Sequence, residues 1–201
     1  MKKILILLST LLLSVQVQAA LVSVTGNGEI ISAVSVQEDS VTNTLQQGFN
    51  EKQGVNVVGT INIDGGGTLS NVKVDSHLIF LNTASGSLNT NATWTFDGLI
   101  AGVMSDQNGL LMTATDGQFA AFSNYFTTGT PAPFITQGLE SNDGYSIAGN
   151  VLSLNMRVSE PGDWIRVLTV SAVPVPAAVF LFAPALLGFM GLRRKAKNLV
   201  A

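Results

Sequence analysis

Val72-Lys73-Val74-Asp75-Ser76-His77-Leu78-Ile79-Phe80 alternates apolar and polar side chains, which is the period of a strand and not of a helix. Val72, Val74, Leu78 and Phe80 fall on one face and Lys73, Asp75 and His77 on the other, so the stretch predicts a half-buried strand with His77 on its polar side. Residues 151–158 repeat the pattern, with Leu152, Leu154, Met156 and Val158 inward and Ser153, Asn155 and Arg157 outward. Residues 164–170 form a largely apolar last strand, and 56–63, 92–96 and 99–104 are further candidates. Between them stand Asp64-Gly65-Gly66-Gly67, Asp97-Gly98, Asn108-Gly109, Asp116-Gly117, Asp143-Gly144, Gly149-Asn150 and Pro161-Gly162. Such pairs supply positive φ cheaply and mark hairpin or loop corners. One short helix is expected at 118–125. Many short strands without α/β alternation predict an all-β fold, an antiparallel two-sheet sandwich of jelly-roll-like form.

The distribution of charge and apolar residues divides the 201-residue chain. Its apolar excess lies at the two ends. Residues 20–172 hold all 13 acidic residues against four basic ones, Lys52, Lys73, Arg157 and Arg166, a formal charge of −9. No basic face can be assembled there to bind a phosphate backbone, which excludes a nucleic-acid partner.

Residues 1–19 read as a secretory signal peptide. Lys2 and Lys3 supply the charged start, residues 4–15 the apolar stretch, and Val17-Gln18-Ala19 a cleavage site that leaves Ala20 as the first mature residue. Signal peptidase and the Sec export machinery are the partners this implies. With no cysteine, the exported domain has no disulfides and depends on core packing or bound ions. At the other end, residues 173–201 combine Pro174-Val175-Pro176-Ala177-Ala178, an uncharged segment over 177–192, and the basic cluster Arg193, Arg194, Lys195 and Lys197. The segment is near the lower length limit for a single transmembrane helix, and the basic tail acts as a stop-transfer signal kept in the cytoplasm by the positive-inside rule.

This three-part order of proline motif, hydrophobic segment and basic tail resembles the PEP-CTERM class of sorting signals, most closely its VPLPA variant, although Val175 stands where the main class has Glu. The resemblance implies an exported protein of a Gram-negative bacterium that makes extracellular polysaccharide. It also implies processing near the proline motif by an exosortase, with the inner membrane as a transient anchor and the cell surface or matrix as destination. The blocks 76–80, 93–97, 102–106 and 160–167 are similar to an ectodomain that recurs with such tails. That likeness implies a lineage and no activity.

The residues give little support to catalysis. Without Cys there is no thiolate chemistry and no Cys-ligated zinc. His77 is the sole histidine, so no multi-His metal site forms, and no G-x-S-x-G or phosphate-binding loop occurs. The chain is therefore expected not to be an enzyme and to need no cofactor. Calcium is left open: Asp97, Asp106, Asp116, Glu140 and Asp143 lie near turns, but Glu140-Ser141-Asn142-Asp143-Gly144 lacks the alternating ligand spacing of a calcium loop. Trp94 and Trp164 are expected in the core, Tyr125 and Tyr145 on the surface. The leading expectation is a structural or adhesive component of the exopolysaccharide or biofilm matrix. A carbohydrate-binding module, with or without calcium, is the alternative, and a two-carboxylate polysaccharide hydrolase comes third.

Overall fold

A computed structural model describes residues 20–34, 42–83, 86–121, 138–159 and 162–171. The signal peptide, the sorting segment, Tyr125 and residues 122–125 of the expected helix lie outside them. All described residues fall within one compact unit, Gln18–Ala172.

The chain is mostly β with antiparallel sheets. One sheet joins β1 (Leu21–Gly26), β7 (Ser87–Phe96), β10 (Val151–Ser159) and β9 (Gly144–Ala148) in that order. The second joins β2 (Gly28–Ile30), β3 (Gln46–Asn56), β6 (Lys73–Leu81), β11 (Asp163–Val170) and β8 (Ile100–Met104). Within it β2 runs parallel to β3, while the other neighbours are antiparallel. A small ribbon pairs β4 (Thr60–Asn62) with β5 (Thr68–Ser70), and α1 (Leu110–Phe119) is the one α-helix among the described residues.

The second sheet is covered on both faces. Ile79, Leu81, Val103, Ile165 and Val167 meet Trp94, Phe96, Leu152, Leu154 and Met156 of the first sheet in one core. From the opposite face Val74, Leu78, Phe80, Trp164 and Leu168 meet Met112 and Phe119 of α1 and Val57 and Ile61 beside the ribbon in a second core. Strand β6 is therefore buried on both sides, and the expectation of a half-buried strand is corrected. Its alternation is real, but the face that reads as polar is the one turned toward the first sheet.

His77 lies on that face with no exposed surface, so the polar side of the strand holds it by hydrogen bonds and not by solvent. Its Nδ1–H donates to Asn50 Oδ1 at 2.8 Å, and Nε2 accepts the Thr169 hydroxyl at 3.0 Å. The tautomer is fixed by these partners, since an amide oxygen accepts only. Phe96 stands 4.9 Å away, ring centroid to ring centroid. Burial pushes the imidazole pKa down to about 3, so it is neutral in the fold.

Gln46 pins the two sheets together from β3. Its amide oxygen accepts the Trp94 indole N–H at 2.9 Å, and its nitrogen donates to Leu154 O at 3.1 Å and Thr90 Oγ1 at 3.2 Å. Gly48 lets the Trp94 ring lie on the β3 backbone; a Cβ there would stand 2.6 Å from the ring.

The second core holds a buried ion pair. Arg166 on β11 donates through Nε to Glu51 Oε2 at 2.7 Å and through Nη2 to Glu51 Oε1 at 2.8 Å. Nη2 also reaches Asp116 Oδ1 at 2.7 Å, while Nη1 donates to Met112 O and Thr115 Oγ1. All five guanidinium donors are thus engaged, which is what a fully buried arginine requires. Burial alone would drive the group toward neutrality, but Glu51 and Asp116 more than offset it and keep the guanidinium charged.

This network explains the helix. The sequence Leu-Leu-Met-Thr-Ala-Thr-Asp-Gly-Gln-Phe is a weak helix former, and Asp116-Gly117 reads as a corner. Tertiary contact overrides both signals: Asp116 binds Arg166, and the Asp106 carboxylate accepts the Leu110 and Leu111 N–H groups at 2.9 and 3.0 Å. The helix therefore sits at Leu110–Phe119 and shares only Gln118 and Phe119 with the expected 118–125, of which 122–125 lie outside the described residues.

Two stability predictions follow from these buried groups. In the unfolded chain His77 binds a proton below about pH 6.5, whereas the folded imidazole stays neutral down to about pH 3. Its contribution is present above the unfolded pKa and is lost as pH falls through that window, at about 1.4 kcal/mol per pH unit. In urea unfolding between pH 4 and 7, His77→Gln should show a shallower acid limb than the parent; parallel limbs would contradict the neutral buried imidazole. Arg166→Met should cost about 3–5 kcal/mol by stranding the Glu51 carboxylate, and adding Glu51→Gln should recover part of that loss.

Candidate functional site

The first sheet buries one face and leaves the other to solvent. Along β10 the buried residues Leu152, Leu154, Met156 and Val158 alternate with outward Ser153, Asn155, Arg157 and Ser159. The register sets Ser153 opposite Thr93 on β7 and Ser146 on β9, while Thr93 also faces Thr25 on β1. Asn155 lies opposite Asn91. The result is a grid of hydroxyls and amides, about 4.8 Å apart across strands and about 7 Å apart along them.

A groove of about 500 Å³ runs over this grid, lined by Thr25, Asn91, Thr93, Ser146, Ser153 and Asn155 among others. Asn155 Oδ1 is buried in the side of this surface and meets no donor among the described residues. The face is polar and almost uncharged, so it is built to exchange hydrogen bonds with a neutral polar ligand rather than to bind ions.

Asn142 and Asp143 line both this groove and a smaller one of about 320 Å³, which also takes in Ser87, Glu140, Ser141, Arg157, Ser159 and Asp163. The turn before β9 is tied by Asp143, whose Oδ2 accepts the Glu140 N–H at 3.1 Å and whose Oδ1 accepts the Arg157 N–H. Asp163, the first residue of β11, is only 4% exposed, and its Oδ2 meets no donor among the described residues. Burial pushes its carboxyl up to about 8, and the nearby charges of Asp143 and Glu140 and a hydrogen bond with the Asp143 carboxyl push in the same direction.

The other acidic residues named from sequence are scattered by the fold. Asp97 accepts the Ala20 N–H at 2.6 Å, Asp106 caps α1, and Asp116 belongs to the Arg166 network. Glu140 and Asp143 alone are brought together, and Asp163 joins them although sequence gave no reason to single it out. The only prior signal was its place beside Pro161-Gly162, a pair that reads as a corner in the sequence. Trp94 and Trp164 are fully buried, as expected. Tyr145, expected to make surface contacts, is half-buried: it lines the groove of about 500 Å³, packs against the inter-sheet core and donates its hydroxyl to Asp64 Oδ2 at 2.9 Å.

Of the residues tied to export and sorting, only Ala20 is described. Ala19, Pro174, Val175, Pro176, Ala177, Ala178, Arg193, Arg194, Lys195 and Lys197 lie outside the described residues. Among the described residues no helix is long and apolar enough to cross a membrane, and no group of three or more acidic or imidazole side chains could hold a metal ion. No family model, curated protein or solved structure matches the chain.

Proposed function

We propose that the chain is an exported, non-enzymatic matrix protein whose jelly-roll-like β-sandwich presents its outer Ser/Thr/Asn sheet face to extracellular polysaccharide. The Sec machinery and signal peptidase would produce a mature start at Ala20. The C-terminal segment would hold the precursor at the inner membrane until an exosortase acts near Pro174-Val175-Pro176-Ala177-Ala178. The observation that carries the reading is the hydroxyl and amide grid around the groove of about 500 Å³. Sugar hydroxyls both donate and accept, and a face of Thr25, Thr93, Ser146, Ser153, Asn91 and Asn155 offers complementary partners in a regular array.

The grid favours adhesion over the alternative of a dedicated carbohydrate-binding module. Tight recognition of one sugar usually adds exposed aromatic rings, whereas the one tyrosine lining this groove, Tyr145, is half-buried against the inter-sheet core, with its hydroxyl taken by Asp64. Weak contacts repeated along a polymer suit a protein held in a matrix by many chains at once. The hydrolase reading is disfavoured because Asp163, whose carboxyl is pushed up to about 8, is buried and not presented to a glycosidic bond.

The test compares three forms in cells that make the polysaccharide. Exchanging Pro174 and Pro176 for Ala should trap the precursor in the membrane. Asn91→Ala with Asn155→Ala should leave export intact but lower retention in the polysaccharide fraction about tenfold, the equivalent of one or two hydrogen bonds. Normal processing of the proline variant would overturn the sorting half, and undiminished retention of the amide variant the adhesive half.

A further inference from the structure

We propose that Asp163 and Asp143 form a proton latch: one proton held between their carboxyl groups fastens the turn before β9 to the start of β11, and its loss frees the turn. The latch stands apart from the glycan reading. Asp163 is only 4% exposed, and its Oδ2 is closed to water with no N–H directed at it among the described residues. Its hydrogen-bond partner is another acid, the Asp143 carboxyl. Ionised carboxylates only accept, so a bond between these two exists only while one of them carries a proton.

Asp163 is the member that carries it. Asp143 Oδ2 accepts the Glu140 N–H at 3.1 Å and Oδ1 accepts the Arg157 N–H, so two backbone donors already meet the charge of Asp143. Burial pushes the Asp163 carboxyl up to about 8, and the charges of Asp143 and Glu140 push it the same way. The charged groups around Asp163 among the described residues are these two from the turn and Arg157 from β10. Strand β6 sets Leu81 opposite it, and Ser87 of β7 and Ser159 of β10 are neutral. The groove of about 320 Å³ between them gives the proton its way to solvent.

The turn is the side that moves. Glu140, Ser141 and Asn142 are exposed, and Ser141 is held at φ 42°, in the left-handed region that serine seldom enters. Asp143 closes this turn twice, donating its N–H to Glu140 O at 2.8 Å and accepting the Glu140 N–H through its carboxyl. Asp163 instead begins a strand paired along its whole length with β6. When the proton leaves, Asp163 and Asp143 become like charges in contact with Glu140 nearby, and a strained, exposed turn yields to that repulsion before a central strand does. Asn142 and Asp143 line both grooves, so the opening also removes one wall of the larger groove. The latch is closed at neutral pH and opens as pH rises through about 8.

Amide hydrogen exchange of the full-length chain, with protection taken relative to the intrinsic rate at each pH, tests the latch. From about pH 7 to about pH 9.5 the amides of residues 140–144 and of Arg157 should lose about tenfold protection, while those of β6 keep theirs. Asp163→Asn, checked for folding by circular dichroism, puts a permanent N–H donor in place of the shared proton and should keep the turn protected at the higher pH. Urea unfolding adds a second readout. An unfolded aspartate releases its proton near 3.8 and the folded one only near 8, so the latch's contribution is full below the first value and lost as pH rises through the second. The parent's unfolding constant, divided by that of Asp163→Asn, should therefore rise by up to about tenfold per pH unit between about pH 5 and 8 and level off above. Unchanged protection of the turn in the parent would overturn the latch, whatever the variant does. So would a loss of protection in folded Asp163→Asn that matches the parent's, or a ratio of unfolding constants that does not vary with pH.

Discussion

The guanidinium of Arg166 and the carboxylate of Glu51 meet where neither has any exposed surface, and that pairing ties together the parts of the second sheet that local sequence would leave apart. Glu51 lies in an irregular stretch of β3 where the register with β6 slips between Asn50 and Lys52. Arg166 belongs to β11, and its remaining donors hold α1 at Met112, Thr115 and Asp116. A helix too weak to form alone is thereby seated over the sheet, and the sheet gains a second covered face. The pair adds little net stability, because desolvation offsets most of its attraction. It does exclude other arrangements, since any displacement of α1 or β3 strands a buried charge.

Covering both faces also accounts for what sequence could and could not reveal. Alternation in 72–80 and 151–158 located β6 and β10, and the apolar run 164–170 located β11, because each strand carries its own period. The environment of a strand's polar face is set elsewhere. His77 and Asp75 read as solvent-facing, but Asn50, Thr169 and Ser171 come from distant positions to meet them. The early strands β1, β2 and most of β3 went unrecognised because Gln46, Gly48, Asn50 and Glu51 break the apolar pattern. Gln46, Asn50 and Glu51 supply the polar pins of the core, and Gly48 makes room for the Trp94 ring. Likewise 56–63 splits between the end of β3 and the short β4, and α1 appears where Asp116-Gly117 suggests a corner, through contacts no local window contains.

The candidate site was legible only in part. The outward placement of Ser153, Asn155 and Arg157 follows from the β10 pattern, but the cross-strand grid depends on register, which pairs β10 with β7 across more than fifty residues. Glu140 and Asp143 were visible as turn acids, and Asp163 was not, because its burial and its approach to Asp143 arise when β11 is drawn between β6 and β8. One surface thus combines a neutral hydrogen-bonding grid with an acidic corner, and Asn142 and Asp143 border both.

In the proposed reading, export and sorting would form the framework within which that surface acts, and the Ala20 nitrogen, 2.6 Å from Asp97 Oδ1, would give a mature N-terminus at this point an anionic partner. The most direct measurement is the intact mass of the protein recovered from the cell surface or matrix of cells that produce it. The account predicts a chain that begins at Ala20 and ends within residues 174–178, with or without a covalent addition at that end. A mass extending to Ala201 in the membrane fraction would contradict sorting and make the chain a permanently anchored ectodomain.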